Sequence, residues 1–458
     1  MSQSFEEYFR CPRRFAHFAI RGVLGETKGY FRFGADTICF GRTTKQNSAA
    51  TPTQPLFDAA LETGMNAGTT YLPFDVEDAV GGLRYEKYVS SAYGEESIKQ
   101  SALQSLYYQL RPLLPISIRK HLQRLHLNGW DLISFPRWPL DGSVDDLFRL
   151  LMLCSLKTQE LKRIPFIWFW PGGASSAAIM THDVETTRGK RFTNTLMDID
   201  DHFGIRASFQ IVPERRYEVT PRYLRSITDR GFEIGVQDLN HDGCLYKNRK
   251  EFEERAARIN AYGRDWGANG FRSAVLYRRQ EWFDALEFSY DMSVPNVAHL
   301  DPQRGGCCTV MPYFIDRLLE LPVTTTQDYS LFHILRDHSI DLWTRQIDLI
   351  MKRHGLISFI VHPDYITGHR EQETYKALLR HLVHLRDEKK VWISTPKDVD
   401  NWWRQRANLT LVQKDGGWQI EGVGKERASL AYASENDGRL ELTVEPSIAE
   451  SAVAKSVR

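Results

Sequence analysis

Ala177-Ala178-Ile179-Met180-Thr181-His182-Asp183-Val184-Glu185 is the stretch that decides the fold. It starts as a run that can be buried on every side and ends in ionisable groups. The pattern recurs. Apolar runs stand at Arg206 to Val212, Phe232 to Gln237, Phe271 to Ala274 and Phe288 to Val294. Three more follow at Leu318 to Val323, Leu356 to His362 and Val391 to Thr395. Helical spacing lies between most of them. Phe192, Leu196, Ile199 and Phe203 recur on one helix face, as do Trp343, Ile347 and Ile350. Thr220-Pro221 and Asp229-Arg230-Gly231 mark the start and stop of another helix. Strand alternating with helix implies a parallel sheet, and near-continuous apolar strands such as Ile357 to Val361 suit burial on both faces. About eight such units fit a closed, irregular barrel. An open doubly wound sheet is the alternative, and no Gly-x-Gly-x-x-Gly supports a dinucleotide site in it.

The polar residues collect where these strands end. The first ends in Thr181-His182-Asp183-Val184-Glu185, the third in Gln237-Asp238-Leu239-Asn240-His241, the fourth near Arg272. The fifth carries Asp291 and the seventh ends in His362-Pro363-Asp364. Barrel enzymes build their sites at the C-terminal ends of strands. A buried strand gains nothing from a charge that is neither paired nor working. Each residue alone fits a structural ion pair equally well; the set, on one end of one sheet, points to function. His182 alternates to the other face of its strand and reads as packing. Cys244 lacks an evident base, so a nucleophilic role is disfavoured.

Around this core lie two regions of different texture. Residues 1–165 read as an α-rich accessory domain, 166–405 as the barrel, and 406–458 as a small β appendage. In the first, Leu72-Pro73-Phe74-Asp75 opens a helix, and further helices are expected over 103–110 and 118–127. Phe135-Pro136-Arg137-Trp138-Pro139 holds two prolines and cannot be helix interior. In the last, Asp415-Gly416-Gly417 and Asn436-Asp437-Gly438-Arg439 are hairpin turns. The final dozen residues are expected to be loose. Trp402-Trp403 suits stacking on a bound ring or packing onto the barrel.

Composition excludes some roles. The 458 residues carry 59 Lys plus Arg against 58 Asp plus Glu, so no broad field holds nucleic acid or an anionic membrane. Six scattered cysteines form no CxxC, which suits free thiols in a reducing compartment. There is no long apolar run and no convincing export signal, so a cytoplasmic protein is expected.

The strand-end residues carry a resemblance. In order and spacing, Thr181-His182-Asp183-Val184-Glu185, Gln237…His241, Arg272 in Gly270-Phe271-Arg272-Ser273, Asp291 in Tyr290-Asp291, and His362 resemble the motifs of the polysaccharide deacetylase family. This is the NodB-homology, carbohydrate esterase 4-like family. The stretch from Tyr290 to Val323 is similar to a branch tied to bacterial surface polysaccharide assembly. The likeness spans about half the chain. It implies an irregular (β/α)7–8 barrel and hydrolysis of the N-acetyl amide of an acetamido sugar, in a surface polysaccharide or its precursor. It implies a divalent metal, usually zinc, that polarises the carbonyl and lowers the pKa of water. Asp183 would be the general base, Arg272 its orienting partner, His362 the general acid and Asp291 the residue that fixes the His362 tautomer. Glu185, His241 and Gln237 would be the metal ligands. Two departures stand out. Val184 occupies the family's second Asp position, which moves the carboxylate to Glu185. Gln237 stands for a histidine, and a neutral amide oxygen is a weaker zinc ligand. Two further readings therefore stay open: a glycan-binding or scaffold protein with degraded catalysis, and a metal-independent amidohydrolase of a cyclic substrate.

Overall fold

The computed structural model describes residues 2–45, 48–66, 68–89, 127 and 129–445. The expected helix over 103–110, all but the last residue of the one over 118–127, and the expected loose end of the chain lie outside them. Two compact units form: Met1–Ala92 with Gly142–Ala174 and Asn401–Arg458, and Tyr93–Asp141 with Ser175–Asp400.

The second unit holds the barrel. Its strands are β1 (Ala177–Val184), β2 (Ser208–Ile211), β3 (Glu233–Gln237), β4 (Gly270–Arg272) and β5 (Tyr290–Asp291). They continue with β6 (Tyr313–Ile315), β7 (Leu318–Glu320), β8 (Leu356–Val361) and β9 (Trp392–Ser394). The sheet runs β6-β7-β5-β4-β3-β2-β1-β8, with β9 also on β1. All pairings are parallel except β6 with β7. Every apolar run read as a strand is one. The antiparallel β6 was not expected; a tight turn with Asp316 at φ 53° folds it back on β7. Helices α1 (Thr187–His202), α2 (Pro221–Thr228), α3 (Arg249–Trp266), α4 (Asp341–Met351) and α5 (His369–Lys389) alternate with the strands.

The sheet curls until its far side meets β8. The closure is irregular. The chain beyond β7 gives the Thr325 amide to the Ser358 carbonyl at 3.3 Å. The Thr324 and Thr325 hydroxyls donate to the carbonyls of Leu356 and Ser358 at 2.7 and 2.8 Å. Side-chain hydroxyls thus supply bonds that a ninth ladder would otherwise make.

Local chemistry explains the helices. Thr186 caps α1 by accepting from the Gly189 amide, Thr220 caps α2 from Tyr223, and Asn248 caps α3 from Glu251. Pro221 opens α2, and Gly267, with φ 65°, closes α3. Their apolar stripes cover the outer sheet face. Leu196, Ile227, Trp343, Ile347, Tyr375 and Leu379 pack with Met180, Phe209, Phe359 and Val361 in one buried cluster.

In the first unit, Asp75 caps the helix Val76–Arg84 through the Asp78 amide. Both appendage hairpins form, at Thr410–Lys414 with Gly417–Glu421 and at Leu430–Asn436 with Arg439–Val444. Leu430–Asn436 also pairs antiparallel with Arg163–Ile167. Segments that precede and follow the barrel in sequence therefore share a unit, through a pairing that no linear signal carries. Trp402 is fully buried and donates to the Phe169 carbonyl at 2.8 Å, which makes it a packing residue.

His182 lies on the outer face of β1, as alternation requires. Nδ1 meets the Val361 carbonyl at 3.1 Å and Nε2 meets Asp200 of α1 at 2.9 Å. Tyr375 of α5 donates to the other Asp200 oxygen at 2.6 Å. His182 and Asp200 are 0% exposed, so removing one partner strands the other away from water. Asp200→Ala should therefore lower stability by roughly 3–5 kcal/mol in urea denaturation. A loss below about 1 kcal/mol, the size of an exposed pair, would show that the network does not tie α1 and α5 to the sheet.

Candidate active site

The parallel register brings the strand ends to one level. Asp183 stands beside Gln210, Arg272 beside Gln237, and Asp291 beside Glu320. Asp183 faces inward from β1. Val184 turns outward into the apolar cluster. Glu185 returns to the inner side just past the strand. The local chain is braced: the Tyr217 hydroxyl donates to the Val184 carbonyl at 2.5 Å, and Arg216 Nε to the Glu185 carbonyl at 2.9 Å.

Asp183 is held from two sides. Arg272 Nη1 donates to Oδ1 at 2.7 Å and Gln237 Nε2 to Oδ2 at 3.1 Å. Arg272 also binds Thr181 Oγ1 at 2.8 Å and the Met292 carbonyl at 3.1 Å. Glu185 Oε1 is the hub. It accepts from Gln237 Nε2 at 3.2 Å, lies 2.7 Å from His241 Nε2, and lies 3.5 Å from His362 Nε2. His241 reaches it from a loop bent by two left-handed residues, Asp238 at φ 50° and His241 itself at φ 55°. Such backbone is uncommon outside glycine and gathers at functional sites.

His362 ends β8. Its Nδ1 is 2.6 Å from Asp328 Oδ1, and its backbone amide donates to Asp328 Oδ2 at 2.7 Å. This corrects one expectation. Asp291 does not hold His362. It accepts from the Ser293 amide and hydroxyl at 2.8 and 2.7 Å and shares a buried contact with Glu320. Burial raises both of those carboxyls; Asp291 raises Glu320 further, while the hydrogen bond from Glu320 lowers Asp291. Asp328 was missed because it lies eight residues beyond the end of β7, past Thr324-Thr325-Thr326, where no strand end flags it. The available signal was a polar run following the apolar segment Leu318 to Val323. Cys244 is not an activated thiol: burial, then Asp242, raises its pKa.

Asp183, Glu185 and His362 present ligand atoms within 4.8 Å of one another, the one such group among the described residues. Whether the site suits an ion turns on Gln237. Its Nε2 donates to both carboxylates, while its Oε1 is buried without a partner. The two ends of an amide are nearly equal in shape. Turned over, the oxygen would face the same carboxylates, which is repulsive unless a cation lies among them. With one there, Glu185, His241 and Gln237 supply an anionic oxygen, an imidazole and a neutral oxygen. That set fits a divalent ion and selects no particular one.

No family model matches the sequence, and no curated protein does. Among solved structures, the chain is similar to a protein of Mycobacterium smegmatis designated a polysaccharide deacetylase. The identity is 17% and the TM-score 0.43, over 52% of this chain and 93% of that one. It is similar to the Puue allantoinase at 14% identity and TM-score 0.43, over 51% and 92%. It is also similar to a protein of Pseudomonas aeruginosa PAO1 designated a polysaccharide deacetylase, at 14% and 0.42, over 51% and 93%. The chemistry of the site rests on its own geometry.

Electrostatics pull the groups apart. Burial raises the Glu185 carboxyl, but the imidazoles of His241 and His362 outweigh it and hold it well below the usual range. Burial lowers the His362 imidazolium, but Asp328 and then Glu185 outweigh it and hold it well above the usual value. Glu185, depressed, adds stability above its unfolded value of about 4.3 and loses it as pH falls. His362, raised, adds stability below its unfolded value of about 6.5 and loses it as pH rises. Their joint contribution is therefore greatest between about pH 4.3 and 6.5. The stability difference between the protein and Glu185→Gln, measured by urea denaturation in chelator, should peak in that window. A difference that still grows at pH 9 would contradict the His362 contact.

Proposed function

We propose that the chain is an amide hydrolase that removes the N-acetyl group of an acetamido sugar, in a surface polysaccharide or its precursor. One observation carries this reading. A carboxylate and an imidazole stand close together, each aimed by a buried partner: Asp183 by Arg272, and His362 by Asp328.

The roles follow from these bonds. Asp183 takes the proton of the attacking water, with its carboxylate direction fixed by Arg272. Asp328 accepts from His362 Nδ1, which leaves Nε2 to give its proton to the leaving amine. The raised pKa of His362 keeps that proton in place near neutral pH. Glu185, His241 and Gln237 would hold a divalent ion, zinc in the first instance, which supplies polarisation of the acyl carbonyl when bound. The products are a free amino sugar and acetate.

A second reading has its own support. The Gln237 N–H already spans Asp183 and Glu185, which suits a metal-independent amidohydrolase of a small cyclic substrate. Metal analysis by plasma mass spectrometry on untagged protein, with acetate release assayed before and after chelation, separates the two. About one equivalent per chain and chelator-sensitive release are expected. Turnover indifferent to chelator favours the second reading. Sugar binding without any release would leave a binding protein. Asp183→Asn and Asp328→Asn should each cut the rate roughly 10²–10⁴-fold with the fold intact. Retention of more than about half of the rate in either variant would remove that residue from the mechanism.

A further inference from the structure

Beside Asp328 in the sequence lie polar groups that the hydrolysis does not use. Thr324 to Gln327 follows β7 along the closure of the barrel. Thr324 and Thr325 spend their hydroxyls on β8. Thr326 does not: its Oγ1 is buried and has no partner, in a residue 7% exposed. Its backbone is fixed, with the amide on Gln346 at 2.9 Å and the carbonyl on Trp343 at 2.7 Å. Gln327 Nε2 donates to Asp301 Oδ1 at 2.9 Å. Asp301 is 8% exposed, and burial pushes its carboxyl up to about 6 despite Arg278 and Arg304.

Asp301, Thr326, Gln327 and Ser330 line one recess, with Trp138 and Leu276 as its apolar side. The Trp138 ring is stacked on His299, 5.7 Å between centroids and 23° between planes. The recess has room for about one or two non-hydrogen atoms, not a sugar ring. A buried carboxylate with acceptor capacity to spare, an unpaired hydroxyl and an aromatic wall suit a hydroxyl on a short carbon arm. An unmet buried hydroxyl is costly, so a partner supplied by a ligand gains more here than on the surface.

We infer that this recess receives the exocyclic hydroxymethyl arm of the sugar whose amide lies at Asp183 and His362. The arm's hydroxyl donates to the Asp301 carboxylate and accepts from Thr326. Gln327 lines the recess and the next residue, Asp328, holds His362, so one dipeptide joins recognition of the arm to the proton donor. The inference rests on the carbohydrate reading above, and it fixes a substrate feature: a hydroxylated arm rather than a methyl group.

The test is calorimetric binding of N-acetylglucosamine and its 6-deoxy counterpart to the full chain. A site built around a hydroxyl should favour the parent sugar by about tenfold or more. In Asp301→Asn and in Thr326→Val the preference should vanish, through loss of affinity for the parent sugar alone. Equal affinity of the unaltered protein for the two sugars, or binding of neither, overturns the inference. So does a preference that survives in both variants. If the variants do not fold, the comparison on the unaltered protein still decides. A preference without acetate release would keep the recess and discard the hydrolysis.

Discussion

The buried pair of Arg272 and Asp183 is the interaction around which the barrel interior is arranged. Arg272 is 0% exposed and reaches Asp183 and Thr181 on β1 and the Met292 carbonyl after β5. A guanidinium taken out of water costs several kcal/mol, and only good geometry with many bonds repays it. Its Nε and Nη1 find their partners across the barrel rather than along one strand, while Nη2 is buried without one. This ties strands far apart in sequence at their C-terminal ends. It also makes the top layer polar, with Gln210 and Gln237 beside the pair. Gly235 belongs to the same layer, since a Cβ there would lie 2.0 Å from Gln210 Oε1.

Much of this was readable in the sequence because one period served two purposes. Strands buried on both faces give near-continuous apolar runs, so all eight runs were found. Polar groups at their ends then had to be inward or paired, which located Asp183, Gln237, Arg272 and His362. Alternation separated His182 from Asp183 and assigned it to the helix side. The reading stopped where function leaves the strands. Asp328 lies on the segment that closes the barrel through threonine hydroxyls, so nothing periodic marks it. Asp291 matched a pattern and occupies a strand end, yet its neighbours are Ser293 and Glu320. A motif fixes a position along a strand; it does not fix which neighbour a side chain meets across the barrel.

The first unit was harder for a related reason. The hairpins at Asp415-Gly416-Gly417 and Asn436-Asp437-Gly438 are local and were found from their turns. The pairing of Leu430–Asn436 with Arg163–Ile167 joins segments more than 250 residues apart. The edge strand Arg163–Ile167 carries no record of its partner, because the backbone supplies the bonds whatever the side chains are.

The offset from Asp183 to Glu185 explains why Val184 is tolerated between them. Side chains two apart on a strand share a face, and adjacent ones do not. Asp-Val-Glu places both carboxylates inside while Val184 fills the apolar cluster. Two carboxylates so placed repel and need positive or donor groups. Arg272 answers the first, His241 and His362 the second, and the Gln237 N–H spans the two. An imidazole with its nitrogen lone pair turned inward could not donate there, and a cation would be needed. As it stands, Gln237 spans the two carboxylates through Nε2; turned over, its Oε1 would join Glu185 and His241 in holding a divalent ion. The Gln237 N–H thus relieves the repulsion between the two carboxylates by hydrogen bonding alone. Its Oε1 is left buried and without a partner.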